Sequence, residues 1–261
     1  MSDKQFAGKN ALITGGSAGI GYSIAMKLAQ QGAKVCVTGR TAETGAQAAA
    51  KLAAVSPGSF FLQGNAGDAQ TSASVVAQAV KELGGLDILV SAGAQGSLGP
   101  TPFEQMTLEQ VKSSFETRLF GRIFPVHSAI PFLRERGGGA ILMIGTDAAR
   151  HPTPGESIIG AAGASVILLT KALARELARH SIRVNSLALT ITSDTPSWDR
   201  IFSKASFENK LFSKAVSRFP SGRAPTSDEV ADAGVFLVSP LSSQIDGQTV
   251  SINGGLSFGG W

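Results

Sequence analysis

Seven short runs of aliphatic and β-branched residues, separated by stretches of helical periodicity, constrain the fold of this chain more than any other feature. The runs are residues 10–14, 34–38, 59–63, 86–91, 139–144, 183–188 and 248–252. Most are apolar almost throughout, not at every second residue. A strand of that kind is buried on both faces, as happens when helices cover both sides of a parallel sheet. Helical patterns occupy the intervals 20–31, 42–54, 70–83, 108–136, 157–180 and 227–238. Strands joined by helical crossovers predict an α/β architecture, with a doubly wound, seven-stranded parallel sheet and helices on both faces.

The chain has 261 residues and is 43% hydrophobic, enough to bury one large core, and no linker, repeat or low-complexity tract divides it. Residues 1–261 are therefore read as one domain. Its one long irregular connection, 190–225, is polar and dotted with aromatics, and reads as a lid or substrate loop. The single cysteine, Cys36, lies in the apolar run KVCVT. It has no partner for an internal disulfide, and no zinc-binding spacing is present, which fits a reducing, cytoplasmic setting. The N-terminal MSDKQFAGKN lacks a signal-peptide pattern, and no uninterrupted apolar run reaches membrane-spanning length. Net charge is +4, but bases and acids interleave, as in ARELARH, so the surface reads as solvated and not as a nucleic-acid footprint. The expected partner is a small-molecule substrate, with no nucleic acid and no membrane.

The first strand, turn and helix read NALITGGSAGIGYSIAMKLA. Gly15, Gly19 and Gly21 allow a sharp turn and let a pyrophosphate approach the N–H groups that open the helix. Ser17 and Ile20 belong to the same turn. Three glycines alone are a weak signal, but here they follow a strand and open an amphipathic helix, the context that a dinucleotide site requires. The second strand ends VCVTGRT, with Gly39 where an NAD site usually holds an acid to bind the ribose hydroxyls, followed by Arg40 and Thr41. Without that carboxylate, and with a guanidinium able to grip a 2′-phosphate, the pattern favours NADP(H) over NAD(H).

These segments, in this order, resemble the short-chain dehydrogenase/reductase family over nearly the whole chain. TGGSAGIG (14–21) is similar to the family's TGxxxGxG turn, and LVSAGA (89–94) to its NNAG segment, keeping Ala92 and Gly93. GNAGD (64–68) stands where the family holds the adenine, with Asn65 in place of the usual Asp and Ala66 beside it. IRVNSLA (182–188) and IDGQTVSINGG (245–255) resemble the last two strands. The likeness implies a single Rossmann-like domain; after the sixth strand, where the family often has a Thr to hold the cofactor, the alignment gives Asp194, with Thr192 and Thr195 nearby, and Thr192 is the expected contact. The likeness also implies a homo-oligomer, a tetramer, built on the two long helices at 108–136 and 157–180.

Relatives reduce a carbonyl with Asn, Ser, Tyr and Lys. By the likeness, tyrosine gives the proton, lysine lowers its pKa and holds the ribose, serine positions the substrate oxygen and asparagine fixes a water. Those positions fall here on Arg118, Thr146, Ile159 and Gly163, so only the hydroxyl is kept. An enoyl-reductase spacing moves the tyrosine position to Glu156. The chain contains one tyrosine, Tyr22, at the far end of the cofactor. The usual proton donor is thus excluded, and the missing side chains are expected to open space beside the nicotinamide.

Three residues are candidates for the remaining chemistry. Arg118 is long enough to enter that space and stabilise an alkoxide or anchor a carboxylate, unless it pairs with Glu116, Asp147 or solvent. Thr146 can donate a hydrogen bond to substrate, or simply cap the strand end. Asp147, against Ile158 and Ile159, is an acid if its carboxyl is desolvated, but not if it is salt-bridged to Arg118 or Arg150. His151 reads as a proton shuttle or an exposed loop residue. Glu156 and Ser157 read as helix-capping residues. Trp198, Phe202 and Phe207 read as an apolar cover for a ligand, or as lid residues packed on their own core. Three functions fit: an NADP(H)-dependent reductase of a carbonyl, imine or activated alkene with a non-standard site; a repurposed member guiding a cyclisation, isomerisation or elimination; or a catalytically silent NADP-binding subunit or sensor.

Overall fold

The computed structural model describes residues 4–93, 96 and 98–258. Ala94, the last residue of the LVSAGA segment, lies outside them. Seven parallel strands, β1 (Asn10–Thr14), β2 (Lys34–Gly39), β3 (Phe60–Gln63), β4 (Ile88–Ser91), β5 (Gly139–Thr146), β6 (Ile182–Leu189) and β7 (Thr249–Ile252), form one sheet in the order β3-β2-β1-β4-β5-β6-β7. The expected α/β class and strand number are both found. Between the strands lie α1 (Gly19–Gln30), α2 (Ala42–Val55), α3 (Ala69–Leu83), α4 (Leu108–Glu135) and α5 (Ser157–Leu177), and after β6 come α6 (Pro196–Phe202), α7 (Phe207–Val216) and α8 (Ser227–Val238).

Near-continuous apolar strands place one core on each face of the sheet, because successive side chains point to opposite sides. Ile13, Val37, Val90 and Leu142 meet α1, α2 and α8 through Ile24, Leu28, Leu52 and Val235. Their neighbours Leu12, Cys36, Leu89 and Ile141 meet α3, α4 and α5 through Val76, Val126, Leu133 and Val166. Burial pushes the Cys36 thiol well above its usual value, as befits an inert core residue. By length and composition alone, the stretch Ser157–His180 is apolar enough to cross a membrane, although Lys171, Arg175, Glu176 and Arg179 interrupt it. In the fold it packs on α4, β5 and β6.

Two short helices, α6 and α7, occupy the connection read as irregular. Each starts at a hydroxyl that accepts a backbone N–H, Thr195 from Trp198 at 3.2 Å and Ser206 from Asn209 at 3.0 Å. Seven and ten residues are too few to show a helical period.

The strand order reverses between β1 and β4, so the loops leaving them diverge and a crevice opens at their carboxyl ends, the usual ligand site of such sheets. The loops touch first: a Cβ built on Gly15 would stand 2.5 Å from Gly93 Cα.

Candidate active site

One cleft of about 570 Å³ runs along the carboxyl edge of the sheet from the glycine turn to α7. All of the residues expected to bind cofactor line it: Gly15, Ser17, Gly19, Ile20 and Gly21 after β1, Arg40 and Thr41 after β2, Asn65 and Ala66 after β3, Ala92 and Gly93 after β4, and Thr192 after β6. The turn leaves no room for side chains. Gly15 has a φ of +66°, and a Cβ on Gly21 would lie 2.4 Å from the Gly15 carbonyl oxygen. Helix α1 begins at Ala18 with no side-chain cap and no acid in its first turn, so its opening N–H groups and positive dipole end are available to an anion. The cradle therefore fits the pyrophosphate of a dinucleotide. A Cβ on Gly39 would meet Ser17 Oγ at 2.7 Å, so an acid there would displace a residue of the cradle. Arg40 is exposed and joins no ion pair among the described residues.

Two of the three expected catalytic residues line the other end. Thr146 closes β5, and its Oγ1 accepts the Ala148 N–H at 3.3 Å, leaving its own hydrogen to donate. Arg118, on α4, donates from Nε to the Ser114 hydroxyl at 3.3 Å and from Nη2 to the Leu98 carbonyl. It pairs with neither Glu116 nor Asp147.

Asp147 departs from expectation. It is only 3% exposed and is not part of the cleft wall. Its Oδ1 accepts the Ser251 hydroxyl at 2.8 Å, and its Oδ2 accepts Asn253 Nδ2 at 2.5 Å and the Thr190 hydroxyl at 3.3 Å. Consecutive residues leaving a strand point to opposite sides, so a Thr146 that faces the cleft turns its neighbour towards β7. Arg150 likewise is held by Ser251 and the Thr249 carbonyl. Asp147 is thus a structural tie between β5 and β7 and is not positioned as an acid. His151 also lies outside the cleft wall.

Two carboxyls do line the cleft, Glu208 and Glu156, and of these Glu156 is in no ion pair among the described residues. It occupies the N-cap position of α5 yet caps nothing with its side chain. Burial pushes it up to about 7, overcoming the opposing pull of Arg118; Glu208 raises it further, and a hydrogen bond with Thr153 lowers it. Such a group holds its proton near neutrality. Reading Glu156 as a cap missed this, because the burial comes from residues distant in sequence.

Arg122 was also missed. One turn beyond Arg118, it lines the cleft and donates from Nε to the Ile144 carbonyl at 2.5 Å and from Nη1 to the Arg118 carbonyl. Burial, with the neighbouring Arg118, pushes it down to about 10. Burial also lowers Arg118, against the attraction of Glu156 and Glu208. Arg200 on α6 grips Glu208 on α7 in a fork of 2.6 and 2.9 Å, and a Cβ on Gly99 would lie 2.8 Å from that carboxylate. The pair closes one end of the cleft.

The three aromatics expected to cover a ligand, Trp198, Phe202 and Phe207, do not line the cleft. Trp198 and Phe202, 4.4 Å apart between ring centres, pack on the cluster of Ile191, Ile201, Phe212 and Phe219, while Phe207 covers Gly155. Ile201 and Phe212 face the cleft instead. Asp194 is structural as well, accepting the Ser227 N–H at 2.8 Å.

Ile159 and Gly163 line the cleft, and among the described residues no tyrosine or lysine does. The space expected at Gly163 is partly closed. A Cβ there would stand 2.6 Å from the Thr146 methyl and 3.0 Å from Ala149 Cβ, and one on Gly160 would stand 2.5 Å from the Ala148 carbonyl oxygen. Helix α5 has settled directly onto the end of β5.

The sheet order, glycine cradle and continuous cleft define an α/β protein built to hold a dinucleotide beside a second ligand. Comparison with known proteins agrees. The family described as Enoyl-(Acyl carrier protein) reductase matches residues 15–257. The chain is 31% identical over 250 residues to the 3-oxoacyl-acyl-carrier-protein reductase FabG of Staphylococcus aureus, covering 95% of this chain and 98% of the relative. It is 33% identical over 262 residues to the glucose 1-dehydrogenase of Gluconobacter oxydans, covering 98% and 94%. Its fold superposes with a TM-score of 0.86 and 27% identity on 7α-hydroxysteroid dehydrogenase in complex with NADH and 7-oxo glycochenodeoxycholic acid, covering 97% and 96%. The chain belongs to the short-chain dehydrogenase/reductase family of oxidoreductases.

Proposed function

We propose that the protein is an NADP(H)-dependent reductase of a small-molecule carbonyl, imine or activated alkene, working without the family's tyrosine and lysine. The observation that carries this reading is the continuity of the cleft: the dinucleotide cradle opens directly onto Thr146, Arg118 and a buried, cleft-facing carboxyl at Glu156. The absence of an acid at Gly39, with Arg40 free of ion pairs, supports the 2′-phosphorylated cofactor. Gly15, Gly19, Gly21 and Ser17 would hold its pyrophosphate, and Asn65 and Ala66 its adenine end.

A nicotinamide held in this cleft would supply a hydride to an electrophilic carbon of the substrate. The remaining work falls to the chain. Thr146 donates its hydroxyl hydrogen to the substrate heteroatom. Arg118 stabilises negative charge as it develops, a role for which its high pKa suits it better than proton transfer. Glu156, in its protonated form, delivers the proton and is reprotonated from solvent, so that hydride and proton together add H₂ across the double bond. The segment 190–225 acts as the lid.

Homo-oligomerisation through α4 and α5 belongs to the same reading. Helix α5 presents Ala161, Ala164 and Leu168 outward, with Leu168 69% exposed, an apolar face suited to a second copy.

The test is a melting-point titration with NADPH and NADH, followed by NADPH oxidation against a panel of ketones, imines and enones. NADPH should raise the melting point more than NADH, and turnover should fall in Arg118→Ala. Failure to bind NADPH refutes the reading. Binding without turnover across the panel favours the silent subunit or the repurposed, non-redox member.

A further inference from the structure

Two arginines of the cleft join no ion pair among the described residues, although Glu156 and Glu208 attract Arg118 at longer range. Arg118 and Arg122 lie four residues apart on α4, so both side chains leave the same face of the helix. A guanidinium carries five N–H donors. Each of these two uses two of them, Arg118 on Ser114 and Leu98, Arg122 on Ile144 and its own neighbour's carbonyl. Three donors on each arginine are left without an acceptor among the described residues. Among the described residues, no carboxylate lies within ion-pair distance of either arginine. Glu208, the nearest alternative counter-ion with Glu156, is engaged by Arg200 in a two-point fork.

Both arginines are half-buried in the cleft wall, where their remaining N–H groups face the cleft, and two cations in succession repel each other. The physical remedy is an anion supplied from outside. Guanidinium forks match the planar, two-oxygen edge of a carboxylate. The surrounding wall, Leu98, Ile159, Ile201 and Phe212, suits a short apolar body attached to it.

We propose that Arg118 and Arg122 form a carboxylate-binding subsite, and that the substrate is a small organic acid whose reducible group lies next to its carboxylate. Arg122 holds the outer carboxylate oxygen. Arg118 spans the carboxylate and the reacting oxygen, which joins substrate anchoring to charge stabilisation. Burial lowers the pKa of both arginines, as expected of cations awaiting an anion, and keeps Glu156 from filling that role near neutral pH. The position of the reducible group rests on the reductase reading; the binding of the carboxylate does not.

Calorimetric titration with butyrate, crotonate, butyramide and inorganic phosphate, with and without saturating NADPH, tests the subsite. The two carboxylates should bind at least tenfold more tightly than the isosteric neutral amide and more tightly than phosphate. Arg118→Met and Arg122→Lys should each weaken butyrate at least tenfold while circular dichroism shows an intact fold. Equal binding of butyramide and butyrate by the unaltered protein overturns the proposal with no variant needed. So does the absence of carboxylate binding, tighter binding of phosphate, or butyrate affinity unchanged in both variants. A protein that binds butyrate as expected but not NADPH keeps the subsite and loses the reductase reading.

Discussion

Replacing Glu156 by glutamine separates its protonation from its packing. An ordinary glutamate titrates near 4.5, and burial in the cleft pushes Glu156 up to about 7. Below about pH 4.5 the folded and unfolded chains both hold this proton, and the group costs the fold nothing. Between about 4.5 and 7 the unfolded chain releases the proton while the folded chain keeps it, so stability falls as pH rises. Above about 7 the full loss is present. A gap near 2.5 pH units, at about 1.4 kcal/mol per unit, corresponds to roughly 3 kcal/mol. Glutamine keeps the shape of the neutral acid and cannot ionise. Glu156→Gln should therefore match the native protein at pH 4.5 and exceed it at pH 8 by about 2–3 kcal/mol, or roughly 5–10 °C in melting temperature. The assay is urea unfolding of both proteins at several pH values, read as the difference between them so that other titrating groups cancel. The same substitution should lower kcat by about 10²–10⁴-fold, the usual worth of a general acid. Parallel stability curves from pH 4.5 to 8 would refute the argument, because a solvated carboxylate gives no such divergence.

Four further outcomes follow from the same geometry. Arg40→Ala should weaken NADPH by roughly 10–100-fold, the worth of a charge-assisted contact, and leave NADH unchanged by calorimetry. Gly163→Ala should cost about 1–3 kcal/mol in unfolding experiments, since its Cβ meets the Thr146 methyl at 2.6 Å, and Ile159→Tyr with Gly163→Lys should melt lower without gaining turnover. Asp147→Asn should cost about 1.5–3 kcal/mol of stability, by setting an amide against the Asn253 amide, yet spare kcat. Leu168→Glu should reduce the assembly size seen by light scattering, whereas a monomeric native protein would refute the α5 interface.

Legibility in the sequence followed the range of the forces involved. The glycine cradle and Arg40 could be read because strand, turn and helix onset are local signals, and the cleft gathers all the residues that those signals named. Arg122 was legible in principle, since four residues beyond Arg118 is one helical turn and the same face. Asp147 was legible too, because alternation along β5 turns it away once Thr146 faces the cleft. Glu156 was legible only in part: the enoyl-reductase spacing put the tyrosine position on it, but a glutamate before a helix is ordinarily a solvated or capping residue, and its desolvation comes from the tertiary approach of the residues around the cleft. Helices α6 and α7 fell between these cases: their Thr195 and Ser206 caps were visible, but their lengths were too short for a hydrophobic period.

The contact between α5 and β5 bears on where the chemistry can reside. Gly160 and Gly163 let the helix backbone approach Ala148 and the Thr146 methyl so closely that neither position accepts even a methyl group without movement. A lysine at 163 would have to push the helix outward, breaking the contacts that Thr146 and Ala149 make with it. At the Thr146 end of the cleft, the cations in no ion pair among the described residues therefore stand on α4, where Arg118 and Arg122 lie one turn apart, while Arg200 on α6 is paired with Glu208. With the positive charge on that wall, the N-cap position of α5 contributes a carboxyl, and the desolvation that raises its pKa favours the protonated form. On this view Arg118 restrains the rise in the Glu156 pKa. Its neutralisation by a bound substrate carboxylate would remove that restraint, so substrate binding should itself raise the Glu156 pKa and secure the proton before transfer. A pH profile in which the falling limb of kcat lies above that of kcat/KM would bear this out, since the first reports the bound enzyme and the second the free one. Coincident limbs would show that Arg118 and the substrate anion do not act on Glu156 together.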